Sequence, residues 1–289
     1  IMSNKDLLDS IKKLREMTGV GFKDCKSALD ESKGDIEKSI EFLRKKGIAK
    51  ASKKMSRTAT EGLALVKEQG GQISIIEINS ETDFVAKNND FINFCKELSD
   101  INFLTKGNLE KLNNTKMQND ILVKDNLVTL IAKIGEKITI RRAKFFDDSE
   151  GLNFYYVHSA IEKNIGKIIS VVKIDGLTKG KNDEIGTKIA MHITASNPLA
   201  IDKKGIDKGL VDKELEIIKA EITNSGKPKE MAEKISKGKI SKFLNENSLL
   251  NQIWIMDPKK KVSDVLKENS LGKEINILDF AKYKVGEGV

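Results

Sequence analysis

An α+β fold, with helices and antiparallel strands in separate blocks, is predicted by three observations. Apolar residues recur at helical spacing through residues 4–46, alternation typical of strands then sets in around Gln69-Gly70-Gly71, and the order hairpin, helix, strand occurs twice. A chain of 289 residues with 39% hydrophobic content is long enough for more than one core, so these segments are expected to pack on one another.

The first block contains three short helical faces: Leu7, Leu8, Ile11 and Leu14; Cys25, Ala28 and Leu29; and Ile36, Ile40 and Leu43. Gly19 and Gly21 break the first interval, Gly34 closes the second helix, Asp35 can cap the third, and Gly47 is expected to end it. A bundle this small has little core and no titratable pair suited to chemistry, so it reads as a partner-docking module. The glycines flanking Val20 would expose that side chain on a tight loop, or simply turn the chain between helices. A basic connector follows with Lys45, Lys46, Lys50, Lys53, Lys54 and Arg57.

Leu63 to Lys67 and Gln72 to Asn79 flank the glycine turn as a hairpin, with Ile73 to Ile78 as a half-buried strand. Glu81-Thr82-Asp83-Phe84-Val85-Ala86-Lys87-Asn88 comes where this strand gives way to a loop. There an aromatic and a carboxylate stand side by side, either as an exposed working pair or as a cap and a packing residue for the next helix. Phe91, Phe94, Cys95 and Leu98 mark that helix. Leu127, Leu130, Ile131 and Ile134 mark a second, and Gly135 introduces the strand Lys137 to Phe146.

The order then recurs. Phe154 to Val157 and Lys167 to Ile174 form another hairpin, with His158 expected to end its first strand before a loop Ser159 to Gly166. A helix with Ile185 and Ile189 follows, and Gly272 to Ile277 echoes Gly135 to Ile140. This predicts two copies of one α+β subdomain, each with a small antiparallel sheet. The second copy is interrupted by two amphipathic helices, marked by Leu215, Ile218 and Ile222 and by Ile240, Phe243 and Leu244, around the turn Ser225-Gly226-Lys227-Pro228. Such a helical hairpin, or coiled coil, either projects and touches itself or a partner, making it a candidate dimerisation surface, or packs flat on the core. The expected divisions are residues 1–57 for the helical module and connector, 58–147 and 148–206 for the core copies, 207–250 for the insertion, and 251–289 for the rest of the second copy.

Composition excludes several functions. No stretch approaches the roughly 20 apolar residues of a membrane helix and no signal or transit segment opens the chain, so no membrane partner and a cytoplasmic location are expected. The two cysteines and two histidines show no metal-ligand spacing, and neither a phosphate-binding glycine loop nor a nucleophile signature is present. No metal, no cofactor and no catalytic residue is therefore expected, and a non-enzymatic role follows. His192 shares a face with Ile185 and Ile189 and reads as a packed histidine. The net charge of +8 would suit nucleic acid, but Lys and Glu are interspersed and the basic connector has no aromatic to stack on a base. No direct nucleic acid contact is required, with a basic RNA- or ribosome-binding protein as the alternative class.

The octet 81–88, the segment Thr18-Gly19-Val20-Gly21-Phe22-Lys23-Asp24-Cys25-Lys26, and the stretches Ala132 to Arg142, Ile189 to Ser196, Ser225 to Lys234 and Val285 to Val289 together resemble the bacterial translation elongation factor Ts family. The resemblance implies a ubiquitin-associated-like N-terminal module, two pseudo-symmetric core subdomains and a coiled-coil excursion. It also implies the activity, guanine nucleotide exchange on elongation factor Tu. Thr82, Asp83, Phe84 and Val85 map onto the segment that acts on the Mg²⁺ side of that partner's nucleotide site. Val20, Gly135 and His158 map onto further partner contacts. Asp83 would act by repelling the metal-bound phosphates or by rearranging the helix that holds the metal ligands; sequence leaves both open. Ile253 departs from the proline common in the family. Members commonly continue past Val-Gly-Glu-Gly with another contacting helix, a contact not carried over here.

Overall fold

The computed structural model describes residues 4–18, 20–181, 183–224 and 229–289; Gly19 and the turn Ser225 to Pro228 lie outside them. The described residues form α1 (Asn4–Thr18), α2 (Phe22–Glu31), α3 (Ile36–Ser52), β1 (Glu61–Gln69), β2 (Gln72–Ser80), α4 (Asp83–Ala86), α5 (Asn89–Leu104), α6 (Leu109–Asn113), α7 (Val123–Ile134), β3 (Ile138–Phe146), β4 (Leu152–Glu162), β5 (Ile165–Asp175), α8 (Asp183–Ser196), α9 (Lys208–Asn224), α10 (Lys229–Asn247), α11 (Val262–Glu268) and β6 (Asn276–Lys284). The mixture of helix and antiparallel sheet is the α+β class that the sequence predicts.

Local signals explain most boundaries. Gly34, at φ +85°, follows α2, and the Asp35 side chain accepts from Lys38 N to open α3. Gly135, at φ +87°, ends α7 in the left-handed conformation. Gly47 does not end α3, which continues to Ser52. A Cβ at Gly47 would touch Val128 and Ala132 at 3.5 and 3.7 Å, so this glycine serves the close approach of α3 to α7 rather than a stop.

β1 and β2 pair from Glu61 opposite Ser80 to Gln69 opposite Gln72, β3 lies beside β2, and β5 is flanked by β4 and β6. The strands are hydrogen-bonded into one six-stranded sheet, not the two separate small sheets expected, because the start of β5 pairs with β1 through Ala64 opposite Gly166 and Leu65 opposite Ile165. Gly166 also lets β4 come close on the other side of β5: a Cβ there would lie 2.7 Å from the Val157 side chain and 2.9 Å from the His158 carbonyl.

Alternation sends side chains to both faces. Leu63, Leu65, Ile76 and Ile78 join Phe91, Leu98 and Ile131 in one core, while Ala64, Val66, Ile73 and Ile75 meet Ile169, Val171 and Tyr283 in another. Val172 and Ile174 reach the opposite side of β5, against Ile185, Ile189 and Trp254. β2 is thus buried on both faces rather than half-buried, and its polar Ser74, Glu77, Asn79 and Ser80 are enclosed along with its isoleucines. Ile11, Leu14, Cys25, Leu29 and Leu43 form a separate, smaller core among α1 to α3.

One charge sits inside this packing. Glu77 on β2 is fully buried, and its carboxylate accepts from Arg141 at 3.0 Å, Arg142 Nε at 2.5 Å, Asn79 Nδ2 at 3.0 Å and Gly286 N at 2.9 Å. Burial pushes its carboxyl up, but Gly286 and Arg142 outweigh that and hold it below the ordinary range. The β2–β3 register shifts between Glu77 and Ile78, turning the strand at this residue. Elsewhere, α10 packs on α9, with Lys239 paired to Glu221, and its end returns to the segment before α9, where Leu199 N donates to Asn247 O at 2.9 Å.

Candidate functional site

The octet is not a loop. Its centre is the single helical turn α4, with Thr82 in extended geometry at the N-cap and Lys87 following its end. Four residues cannot sustain a helix unaided, since nucleation fixes several dihedrals for little hydrogen bonding. Two buried side chains supply what propensity does not: Val85 and Ala86 are 6% and 1% exposed, within the core of β1, β2 and α5. The next helix takes its cap from Asn88, which accepts from Asp90 N and Phe91 N. Asp83 is therefore not the cap of α5, and Phe84 is not packed into it.

Burying Val85 drives Phe84 outward. The residue is 78% exposed, an arrangement that leaves apolar surface in water in the isolated chain. Asp83 binds Lys87 Nζ at 2.7 Å, one turn on, and Lys87 also lies over the Phe84 ring, 5.8 Å from its centroid. The hydrogen bond from Lys87 holds the Asp83 carboxyl below the usual range, so the tip carries an ionised carboxylate at neutral pH. A rigid turn with an outward aromatic and an outward anion can wedge into an apolar groove and repel an anion there. Of the four octet positions singled out, Asp83 and Phe84 point outward, Val85 points into the core and Thr82 is held at the base.

Thr82 meets the α7–β3 turn. Glu136 accepts from Thr82 N at 3.0 Å and from Thr82 Oγ1 at 2.8 Å, so Gly135 and the octet share one corner of the molecule. Lys54 donates to the Gly135 carbonyl. Val20 borders α7: with Arg15, Asp24, Leu43, Lys46 and Ala132 it lines a groove of about 360 Å³. His158 is elsewhere. It lies within β4 opposite Ile168, four residues before the strand's end, because pairing with β5 continues into the expected loop as far as Glu162. Its exposed ring approaches Tyr156, Nδ1 standing 3.3 Å from the phenol oxygen.

The supports of this corner escape a reading of local pattern. Glu81, Glu136, Arg57 and Lys54 belong to three separate stretches, and only the Asp83 to Lys87 spacing announces a contact in advance. His192 is the packed histidine expected: it is buried, stacks on Trp254 at 5.2 Å, accepts from Ile255 N at Nδ1 and faces Gln252 Oε1 with Nε2 at 3.0 Å. Among the described residues no three His, Cys, Asp or Glu side chains are placed to hold a metal ion, and no helix is long and apolar enough to cross a membrane.

The sequence model of the elongation factor TS family matches residues 81–287. Elongation factor Ts of Rickettsia felis is 39% identical over 284 residues, covering 97% of this chain and 92% of the relative. The protein of that name from Maricaulis maris is 41% identical over 253 residues, 86% of this chain and 81% of its own. That from a Methylobacterium species is 41% identical over 283 residues, 96% and 92% respectively.

Proposed function

Because this chain belongs to the elongation factor Ts family, we propose that it is a non-enzymatic guanine nucleotide exchange factor that binds elongation factor Tu in the cytoplasm and promotes GDP release during polypeptide elongation. The observation that carries this reading is Phe84, an aromatic residue 78% exposed on a braced turn beside the ionised Asp83. Exchange requires the factor to bind the nucleotide-free GTPase more tightly than the loaded one, and linkage makes the antagonism mutual. Phe84 supplies buried area only once it is seated in the partner, and Asp83 supplies charge that disfavours a neighbouring Mg²⁺-bound phosphate. Together they act as the differential contact.

Val20, Gly135 and His158 are further partner contacts in this reading, spread so that the helical module, the first hairpin unit and the second grip different places. The two hairpin units are read as copies of one subdomain: β3 lies beside β2 as β6 lies beside β5, and Gly135 and Gly272, preceding β3 and β6, share φ +87°. Three basic residues of the connector are engaged within the chain, Lys46 with Asp24, Lys54 with Gly135 and Arg57 with Glu81, which favours this role over RNA binding.

The test is release of fluorescent GDP from elongation factor Tu. Acceleration by the unsubstituted chain, diminished by Asp83→Ala, is expected. No acceleration refutes the function, and full activity of Asp83→Ala refutes the charge's part in it.

A further inference from the structure

Two loops exchange carboxylates beneath α4. Glu136, on the α7–β3 turn, takes the Thr82 backbone N–H and hydroxyl at 3.0 and 2.8 Å, while Glu81, on the β2–α4 turn, takes the Lys137 N–H at 2.5 Å. The connector closes the arrangement from a third side. Arg57 donates to Glu81 at 3.2 Å, Lys137 Nζ donates to the Arg57 carbonyl at 2.7 Å, and Lys54 donates to Gly135. Thr82 stands at the N-cap of α4 yet makes no side-chain cap bond, because its hydroxyl is turned to Glu136. A turn this short is oriented by what grips its first residue, and both oxygens of a carboxylate are used here on one residue from 54 positions away.

We infer that Glu136 is a positioning residue for exchange: through Thr82 it fixes the direction in which Asp83 and Phe84 leave the core, and through Glu81 and Arg57 that direction is tied to the connector from the N-terminal helices. This rests on the reading of Asp83 and Phe84 as the exchange tip. Without Glu136 the tip must be ordered at the moment of contact, so the loss falls on the step that displaces nucleotide. Encounter, carried by the rest of the surface, is spared.

The experiment titrates the full chain against elongation factor Tu carrying fluorescent GDP. Glu136→Ala is expected to lower the maximal release rate about tenfold while moving the half-saturating concentration less than about threefold. Glu136→Gln restores most of the rate, since its amide oxygen accepts from Thr82 N and its amide N–H₂ can donate to the Thr82 hydroxyl. Thr82→Val, which removes only the hydroxyl arm, gives a smaller fall, about threefold. Hydrogen exchange of the free protein separates tip from fold: in Glu136→Ala the amides of Lys87 and Asn88, which donate to the Phe84 and Val85 carbonyls, exchange faster while Ile76 in β2 is unchanged.

An unaltered maximal rate, equal losses in the Ala and Gln variants, a loss confined to the half-saturating concentration, or unchanged exchange at Lys87 and Asn88 would overturn the assignment. If the unsubstituted chain itself fails to accelerate release, the exchange reading falls and takes this one with it. With an active parent, the variants judge Glu136 alone.

Discussion

Neighbouring residues of α4 should show opposite signatures when each is cut to alanine. Phe84 exposes 78% of its surface in the free chain. A phenylalanine buries about 200 Å² when fully enclosed, so roughly 150 Å² remains for a partner to cover, worth about 4 kcal/mol at about 25 cal/mol per Å². Alanine keeps the β-carbon, leaving a loss of about 3 kcal/mol, or about a hundredfold in affinity for nucleotide-free elongation factor Tu. Folding stability should change by less than about 0.5 kcal/mol, since the ring has little to lose at home. Val85, 6% exposed in the core, reverses the pattern: Val85→Ala should cost about 1–2.5 kcal/mol of stability. Its affinity for the partner should stay near the parent's when measured well below the unfolding transition. Urea denaturation with a shared slope reads the first quantity, and titration of nucleotide-free partner reads the second. Phe84→Ala that unfolds early, or that binds as tightly as the parent, would refute the outward-ring argument.

Glu77→Ala should destabilise by about 3–5 kcal/mol, because it strips Arg141, Arg142 and the Gly286 N–H of a common buried acceptor, and Glu77→Gln by about 2 kcal/mol; the urea midpoint checks both. Its folded-state carboxyl lies below the ordinary 4.5, so its contribution is present above that pH and is lost as pH falls through the folded value; the Gln variant should lack this part of the acid sensitivity. For His192, burial outweighs the Gln252 hydrogen bond and holds the imidazole below 6.5. The fluorescence of Trp254, the sole tryptophan, should fall on protonation of the stacked ring with a midpoint under 6.5, and a midpoint at or above that value would contradict the packed neutral histidine.

What was legible in the sequence depended on how far each signal reached. Phe91, Phe94, Cys95 and Leu98 declare α5 because helix spacing is local, and Asp35 and Gly135 declare ends because caps act on adjacent backbone. Gly47 misled for the opposite reason: its use is contact with α7, about eighty positions away, and nothing nearby distinguishes that from a stop. The extent of β4 past His158 was hidden likewise, since pairing with β5 extends it beyond its apolar stretch. At the tip, the Asp83-Phe84 pair was visible and its direction was not. Outwardness follows from Val85 and Ala86 entering the core and from Glu136 holding Thr82, both of which are decided by tertiary neighbours.

The Glu77 clamp also bears on the chain's own synthesis. Its Gly286 partner is 209 residues downstream, and Arg141 and Arg142 come well before it. At about 5–20 residues per second, Gly286 is joined to the growing chain roughly ten to forty seconds after Glu77. During that interval β2 can pair with β1 and then β3, but its buried carboxylate lacks one of its donors and the face shared with β6 lacks a lid. A nascent chain therefore carries an incompletely paired anion and an uncovered apolar sheet until Gly286 has been made, and the turn after β6 is what lets the interior close.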